Sequence, residues 1–112
     1  MKEPNEPRDH DWDEVSTLFG GYLHQDFAED YGDVWGAVRQ YCTEASSDSV
    51  STAADQVKEI LDRSDDEEGL DAITSRLGSS YHPPGAGQTY RHWLIELERV
   101  LRAASTAPFP NQ

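Results

Sequence analysis

The sequence predicts an all-α protein, a single domain built as a bundle of four to five short helices. In several segments the apolar residues recur three and four positions apart, which places them on one face of a helix. No segment shows the alternation of apolar and polar residues that is typical of a strand. The length of 112 residues suits one domain with a modest core, and three Trp, five Tyr and three Phe supply large side chains to fill it.

Three regions are expected along the chain. Residues 1–10 combine Pro4 and Pro7 with mixed charge, which is typical of a disordered leader. We expect the helical domain over residues 11–103 and a frayed tail over residues 104–112.

The first helix is predicted to begin at Asp11 and to end at Gly20-Gly21. Glu14 stands three residues after Asp11, in the spacing of a capping box. The apolar face of this helix is predicted to consist of Trp12, Val15, Leu18 and Phe19.

The segment from Tyr22 to Tyr31 is expected to form an irregular turn-and-helix unit that Gly32 terminates. Asp33 is expected to cap the next helix, which should end at Ser46-Ser47. Its inward face is predicted to consist of Val34, Trp35, Val38, Tyr41 and Cys42.

A third helix is predicted to start near Ser49 or Ser51. Its inward residues are Ala54, Val57, Ile60 and Leu61. Ser64 and Glu67 have the spacing of a capping box and predict the start of a fourth helix, which Gly78 closes at the C′ position. The inward residues of this fourth helix are Leu70, Ile73 and Leu77.

A loop is expected from Ser79 to Gln88, because two prolines and two glycines interrupt any helical pattern there. Thr89 can then cap the final helix. The final helix is predicted to bury Trp93, Leu94, Leu97, Val100 and Leu101.

The formal net charge of −13 restricts the partners this chain can have. Residues 1–71 hold 20 acidic and 5 basic residues, whereas residues 72–112 hold 2 acidic and 4 basic residues. Sequence-independent nucleic-acid binding depends on Lys and Arg neutralising phosphates, so direct nucleic-acid binding is excluded, and anionic membrane surfaces are disfavoured for the same reason. The expected partner is a basic protein, or one with a basic cleft.

Cysteine content and the N-terminal sequence predict a cytoplasmic protein. Cys42 is the single cysteine, so an intramolecular disulfide is excluded, which suits a reducing compartment. No signal-peptide pattern and no apolar run long enough to cross a membrane are present. Because Cys42 falls on an apolar helix face, we expect a buried and inert thiol.

One group of residues, His24, Asp26 and Asp30, suggests a small helical metal-binding protein or hydrolase as an alternative. A histidine beside a carboxylate can bind a metal or transfer protons. The bland interpretation is that His24 or Asp26 bonds loop backbone while Tyr22 and Phe27 enter the core. His10, His82 and His92 are scattered and lack the spacing of a zinc site.

Two further stretches have both a functional and a structural interpretation. The acidic run from Asp62 to Glu68 is either a solvated helix N-terminus or a mimic of phosphates that fills a basic nuclease groove. The loop from Tyr81 to Tyr90 either binds a partner or is held across the bundle by these two tyrosines.

Three motifs together resemble one family of immunity proteins of contact-dependent growth inhibition (CDI) systems. They are GGYLHQDF at residues 20–27 with DYG at 30–32, LGSSYHPPG at 77–85, and TYRHWL at 89–94. The resemblance covers roughly residues 12–101. One departure is Phe27, where the family usually has Trp after His-Gln-Asp; the change keeps an aromatic ring.

The resemblance implies a cytoplasmic antitoxin, not an enzyme, that binds the C-terminal toxin domain of a CDI system. Such toxins are often nucleases, which would suit an acidic inhibitor with a stoichiometric mode of action. No catalytic residue, cofactor or metal ligand is expected under this interpretation. The candidate toxin contacts are Asp26, Glu29, Asp30, Tyr31, Asp33, Asp62, Asp65, Asp66, Glu67, Glu68 and Tyr81.

Overall fold

Six α-helices and one 3₁₀ turn make up the regular structure of the residues that the computed structural model describes, 12–64 and 66–106. They are α1 (Asp13–Tyr22), α2 (Phe27–Tyr31), α3 (Val34–Glu44), α4 (Ser47–Arg63), α5 (Glu67–Arg76), the 3₁₀ turn (Pro83–Ala86) and α6 (Tyr90–Thr106). No strand occurs in these two ranges, so the prediction of an all-α domain is confirmed. The five-residue α2 is the irregular unit expected between Tyr22 and Tyr31.

The central pair of helices is α4 and α6, each of 17 residues, which pack on each other more extensively than any other two elements of the described chain. α1 packs on α4, and α3 packs on α1. The large side chains that are fully buried in the core include Trp12, Phe19, Tyr41, Ile60, Leu70, Trp93, Leu94 and Leu97. Of the predicted inward residues, Trp35, Cys42, Ile73 and Val100 are only half-buried at the edge of this core.

Four helices of the described chain, α3, α4, α5 and α6, begin at a side-chain cap. The Asp33 carboxylate accepts the Gly36 N–H at 2.8 Å, and the Thr89 hydroxyl accepts the His92 N–H at 2.9 Å, so both predicted caps are confirmed. The Ser46 hydroxyl accepts the Ser49 N–H at 3.1 Å. α4 therefore starts at Ser47, and the prediction of a start near Ser49 or Ser51 was wrong because this earlier serine supplies the cap.

The first helix does not end at Gly20-Gly21, as predicted, but continues to Tyr22. Gly20 lies against the chain at Gly78, where an added Cβ on Gly78 would come within 2.8 Å of the Gly20 Cα. The absence of a side chain at Gly78 allows this approach, whereas a Cβ on Gly20 would make only an ordinary contact with the Leu77 carbonyl, at 3.7 Å. Neither Gly20 nor Gly21 has a positive φ, so the helix is not terminated there. Asp11, the predicted cap, lies outside the described residues.

The predicted capping box of Ser64 and Glu67 is also wrong. Asp66 is the N-cap of α5, and its carboxylate accepts the Gly69 N–H at 3.0 Å, while the Ser64 hydroxyl bonds to the Asp66 carboxylate at 3.1 Å. The predicted end at Gly78 is confirmed. Gly78 has a φ of 108°, and the following Ser79 N–H returns to the Thr74 carbonyl at 3.0 Å.

The last helix is longer than expected. α6 continues to Thr106, three residues beyond the predicted boundary at 103, and Ala104 is buried. The expected leader, residues 1–10, and residues 107–112 of the expected tail lie outside the described residues. Among the helices of the described chain, none combines the length and apolar character that crossing a membrane requires.

Candidate functional site

Two acidic regions contain the carboxylates predicted to contact a toxin. The first, called here the α2 surface, is the stretch from Tyr22 to Trp35, which includes α2 and the start of α3. The second, called the corner, is the stretch from Asp62 to Glu68 between α4 and α5. Asp65, a predicted contact in the corner, lies outside the described residues. Within the described residues, the corner is not joined directly to the α2 surface by a hydrogen bond, an ion pair or a ring contact.

At the corner, two carboxylates form intramolecular caps. The Glu67 carboxylate accepts the backbone N–H groups of Tyr90 at 2.6 Å and Arg91 at 3.0 Å, one on each oxygen. It therefore satisfies two of the N–H groups left unpaired at the start of α6. The Arg91 guanidinium in turn donates to the Ser64 carbonyl at 2.7 Å. Together with the Asp66 cap, these bonds fasten the N-terminus of α5 to that of α6.

The other corner carboxylates are more exposed to a partner. Asp62 pairs with Lys58 at 3.4 Å on the surface of α4, a pair that is exposed on both sides. Glu68 is exposed in the first turn of α5, and no partner for its carboxylate is found in the described ranges. The four described carboxylates that the sequence groups here thus have different roles.

On the α2 surface most carboxylates make few or no intramolecular contacts. Asp33 is the cap of α3. Asp30 lies 3.4 Å from the His24 Nε2 atom. Asp26 and Glu29 are exposed, and within the described chain their carboxylates have neither a hydrogen bond nor an ion pair. Two negative charges are therefore available to an incoming partner.

His24 serves the loop before α2. Its Nδ1 atom accepts the Asp26 backbone N–H at 3.0 Å, which leaves Nε2 facing Asp30. The bland interpretation of His24 as a backbone-bonding residue matches this geometry, and Tyr22 and Phe27 both pack against the core. His24 therefore contacts the Asp30 carboxylate and the Asp26 backbone, and the side chains of His24, Asp26 and Asp30 do not form one group of three. In the described residues no three His, Cys, Asp or Glu side chains are placed to hold a metal.

Aromatic rings underlie the α2 surface and connect it with the loop after α5. Tyr22 packs on Tyr31 with a centroid distance of 5.9 Å and on the buried Tyr41 at 5.5 Å. Phe27 meets Tyr81 edge to face at 6.0 Å, and Tyr81 packs on the buried Trp93 at 5.0 Å. Tyr81 therefore supports the loop from beneath, as the structural interpretation of this loop expected.

Hydroxyl partners distinguish the five tyrosines. Tyr22 bonds Glu44, Tyr41 donates to Glu14 at 2.8 Å, Tyr81 donates to Gln88 at 3.3 Å and Tyr90 donates to Asp71 at 3.0 Å. Burial and the adjacent carboxylate raise the pKa of Tyr22 and of Tyr90 to about 12. Tyr31 is half-buried, and its hydroxyl has no hydrogen-bond partner in the described part of the chain.

One polar network was not anticipated from the sequence. Tyr90 is buried, and its hydroxyl also lies 3.2 Å from the His82 Nδ1 atom, so that His82, Tyr90 and Asp71 form a chain. These residues come from the loop, α6 and α5, and no local spacing connects them. The network holds the loop against the start of α6. The structural interpretation of the sequence had expected Tyr90 to help to hold this loop.

Cys42 is half-buried on α3, and burial raises the pKa of its thiol to about 11. A thiol with such a pKa is almost entirely protonated at neutral pH, and it is the thiolate that reacts. This agrees with the expectation of an inert cysteine.

The fold and the charge define the class of this protein as a small acidic helical bundle, with its N-terminal caps and loop tied together by side-chain carboxylates and tyrosines. The model of one protein family, described as CdiI immunity protein, matches residues 11–101. The chain therefore belongs to the family of CdiI immunity proteins, and the resemblance drawn from its three motifs is confirmed. No curated protein and no solved structure matches the chain.

Membership of this family gives the chain a role in CDI immunity and a protein partner, the cognate CDI toxin.

Proposed function

We propose that this chain neutralises a nuclease toxin domain by forming a stoichiometric complex in the cytoplasm. The acidic surface of the chain occupies the basic cleft that the nuclease uses for nucleic acid. The observation that carries this proposal is the distribution of charge, with 20 acidic and 5 basic residues in the first 71 positions. Opposite charges accelerate the encounter of two proteins and suppress wrong partners.

The exposed carboxylates support this mode of inhibition. Every described carboxylate among the candidate contacts belongs to an exposed residue. They are Asp26, Glu29, Asp30, Asp33, Asp62, Asp66, Glu67 and Glu68. A nuclease groove is built to receive a row of phosphates, and carboxylates are the groups with which a protein can offer similar charge.

Calorimetry with the toxin domain encoded beside this chain tests the proposal. Tight one-to-one binding is expected at about 50 mM salt, with an affinity that falls at about 200 mM salt because screening weakens charge pairing. Co-expression of the chain should also restore growth to cells that produce the toxin domain. Absence of binding at micromolar concentrations would overturn the proposal for that toxin, and binding that does not respond to salt would overturn the acidic mode.

A second candidate, a metal-binding protein or hydrolase, is favoured only by the contact of His24 with Asp30 at 3.4 Å. Elemental analysis of the purified protein and a His24→Ala variant discriminate between the two. Under the proposed function, His24→Ala lowers thermal stability slightly, because the bond to the Asp26 N–H is lost, and toxin binding survives. Stoichiometric metal in the wild type that is lost in this variant would favour the second candidate.

A further inference from the structure

Several polar groups of the α2 surface lack intramolecular partners. The Asp26 and Glu29 carboxylates and the Tyr31 hydroxyl have no partner among the described residues. Trp35 follows them at the start of α3. It is half-buried, and its indole N–H has no acceptor in the described chain. The other tyrosine hydroxyls and the Trp12 indole N–H bond carboxylates or an amide within the chain. The buried Trp93 indole N–H has no partner among the described residues, but it is not accessible to a protein partner.

The same stretch has no positive charge of its own. Residues 22–35 include four acidic residues and no Lys or Arg, and the first basic residue that follows is Arg39. The α2 helix itself buries no residue completely, although the rings of Phe27 and Tyr31 pack against the core. Half-buried rings and carboxylates without an intramolecular partner thus occur in one short stretch of the described chain, and aromatic rings are enriched at interface centres.

Arginine is the side chain that best matches this combination. Its planar guanidinium stacks on aromatic faces and donates in a fork to carboxylates, whereas the lysine ammonium is a compact and strongly hydrated charge. A basic partner presenting arginine can therefore satisfy the Asp26 and Glu29 carboxylates while it covers the Tyr31 and Trp35 rings.

We propose that the α2 surface, and not the corner, is the principal contact with the toxin domain, and that it receives arginine side chains of that domain. This inference rests on the proposed function and adds to it the surface and the chemistry of recognition. The corner is assigned to the fold, because Asp66 and Glu67 use their carboxylates to cap α5 and α6.

Tryptophan quenching in the wild-type protein provides the first test. Trp12 and Trp93 are 1% and 0% exposed, so acrylamide should quench mainly Trp35 in the free protein. We expect addition of the toxin domain to protect this fluorescence, and a Trp35→Phe variant to remove the protected component. If Trp35 is quenched equally in the free protein and the complex, the α2 surface is not covered and the inference fails.

Matched charge variants provide the second test. The Asp26→Asn and Glu29→Gln double variant should bind the toxin domain about 30-fold more weakly, because both carboxylates lose their charged hydrogen bonds to arginine. The control is the Asp13→Asn and Asp48→Asn double variant, which removes two exposed carboxylates that lie outside the α2 surface and are not candidate contacts, and it should change affinity less than about threefold. Equal losses of affinity in the two variants would mean that net charge alone accounts for the effect, and the inference would be overturned.

A ring test separates stacking from charge. Trp35→Phe keeps an aromatic face and should weaken binding less than Trp35→Leu, which we expect to lose about tenfold. Circular dichroism and thermal unfolding of each variant establish that it is folded. Equal binding by the two variants would exclude stacking on Trp35.

These outcomes separate the inference from the proposed function. If the wild type fails to bind the toxin domain, both are overturned for that toxin. If the wild type binds and rescues growth while quenching and the Asp26 and Glu29 variant show no effect, only the assignment of the surface is overturned.

Discussion

The corner and the α2 surface are both acidic, but they use their carboxylates in different ways. At the corner, Asp66 and Glu67 accept backbone N–H groups at the starts of two helices. On the α2 surface, Asp26 and Glu29 have no partner within the described chain. The number of acidic residues in a run therefore does not give the number of carboxylates that are available to a partner. A carboxylate is less available when it already accepts a hydrogen bond from a backbone N–H group of the same chain.

The largest expected loss of stability is at Gly78, where α5 ends. Gly78→Ala should destabilise the protein by about 3 kcal/mol, because φ there is 108° and the new Cβ would lie 2.8 Å from the Gly20 Cα. The turn at Gly78 also precedes the bond from the Ser80 N–H to the Leu23 carbonyl, at 2.7 Å, which connects the end of α5 with the α2 surface.

Urea unfolding measures this loss. The control is Gly21→Ala, which changes a helical glycine with open space around it and should stabilise the protein by about 0.5–1 kcal/mol. A Gly78→Ala variant as stable as the wild type would contradict the close approach of the two backbones.

The next effect separates neighbouring residues within the corner. Glu67→Ala should cost about 2 kcal/mol, because the start of α6 loses two charge-assisted hydrogen bonds. Glu68→Ala removes an exposed carboxylate without a partner in the described chain and should change stability by less than about 0.5 kcal/mol. Thermal unfolding of both variants gives the comparison, and equal losses would mean that Glu67 is not a cap.

A third prediction concerns an exception within the α2 surface. Asp33 caps α3 as Asp66 caps α5, so Asp33→Ala should cost about 1 kcal/mol. Asp26→Ala, by contrast, should leave stability within about 0.5 kcal/mol of the wild type. Chemical unfolding of the two variants is the measurement. A loss in Asp26→Ala as large as that in Asp33→Ala would remove the distinction between capping and available carboxylates.

The smallest expected effect is the loss of stability on titration of two tyrosine hydroxyls, which begins only above neutral pH. Tyr22 belongs to the α2 surface, and Tyr90 lies beside the corner at the start of α6. Tyr90 bonds Asp71 and Tyr22 bonds Glu44, and burial raises the pKa of both phenols to about 12. Because the folded state holds these protons more tightly than the unfolded state, the associated stability is complete below about pH 10 and declines as pH rises towards 12. Urea unfolding at pH 8 and pH 11 should show a smaller decline in Tyr90→Phe and Tyr22→Phe than in the wild type. An identical decline in all three proteins would contradict the raised pKa values.

The sequence was sufficient for those parts of the fold that depend on local spacing. The periodicity of Val57, Ile60 and Leu61, the caps at Asp33 and Thr89 and the stop at Gly78 are all present in the structure. The boundary at Gly20-Gly21 failed because neither glycine has a positive φ, so the helix continues through both of them to Tyr22.

The candidate site was less predictable because its distinctions depend on distant residues. Glu67 stands in the position of a capping-box residue, yet it caps a helix that begins 23 residues later in the sequence. The His82, Tyr90 and Asp71 network likewise joins three separate elements. Spacing identifies acidic residues near a helix start, but it does not indicate which of them already accept a backbone hydrogen bond.

The pairing of α4 with α6 also determines when this protein can begin to protect the cell. The apolar face of α4 packs mainly on α6, so its partner is absent until the ribosome has synthesised the chain to Thr106. At roughly 5–20 residues per second, synthesis to that point takes on the order of ten seconds. The Glu67 cap also requires the N-terminus of α6, and the buried Trp93 belongs to α6 itself. A nascent chain without α6 therefore lacks the folded surface that a toxin would meet. The folded protein therefore forms only after the last helix has been translated.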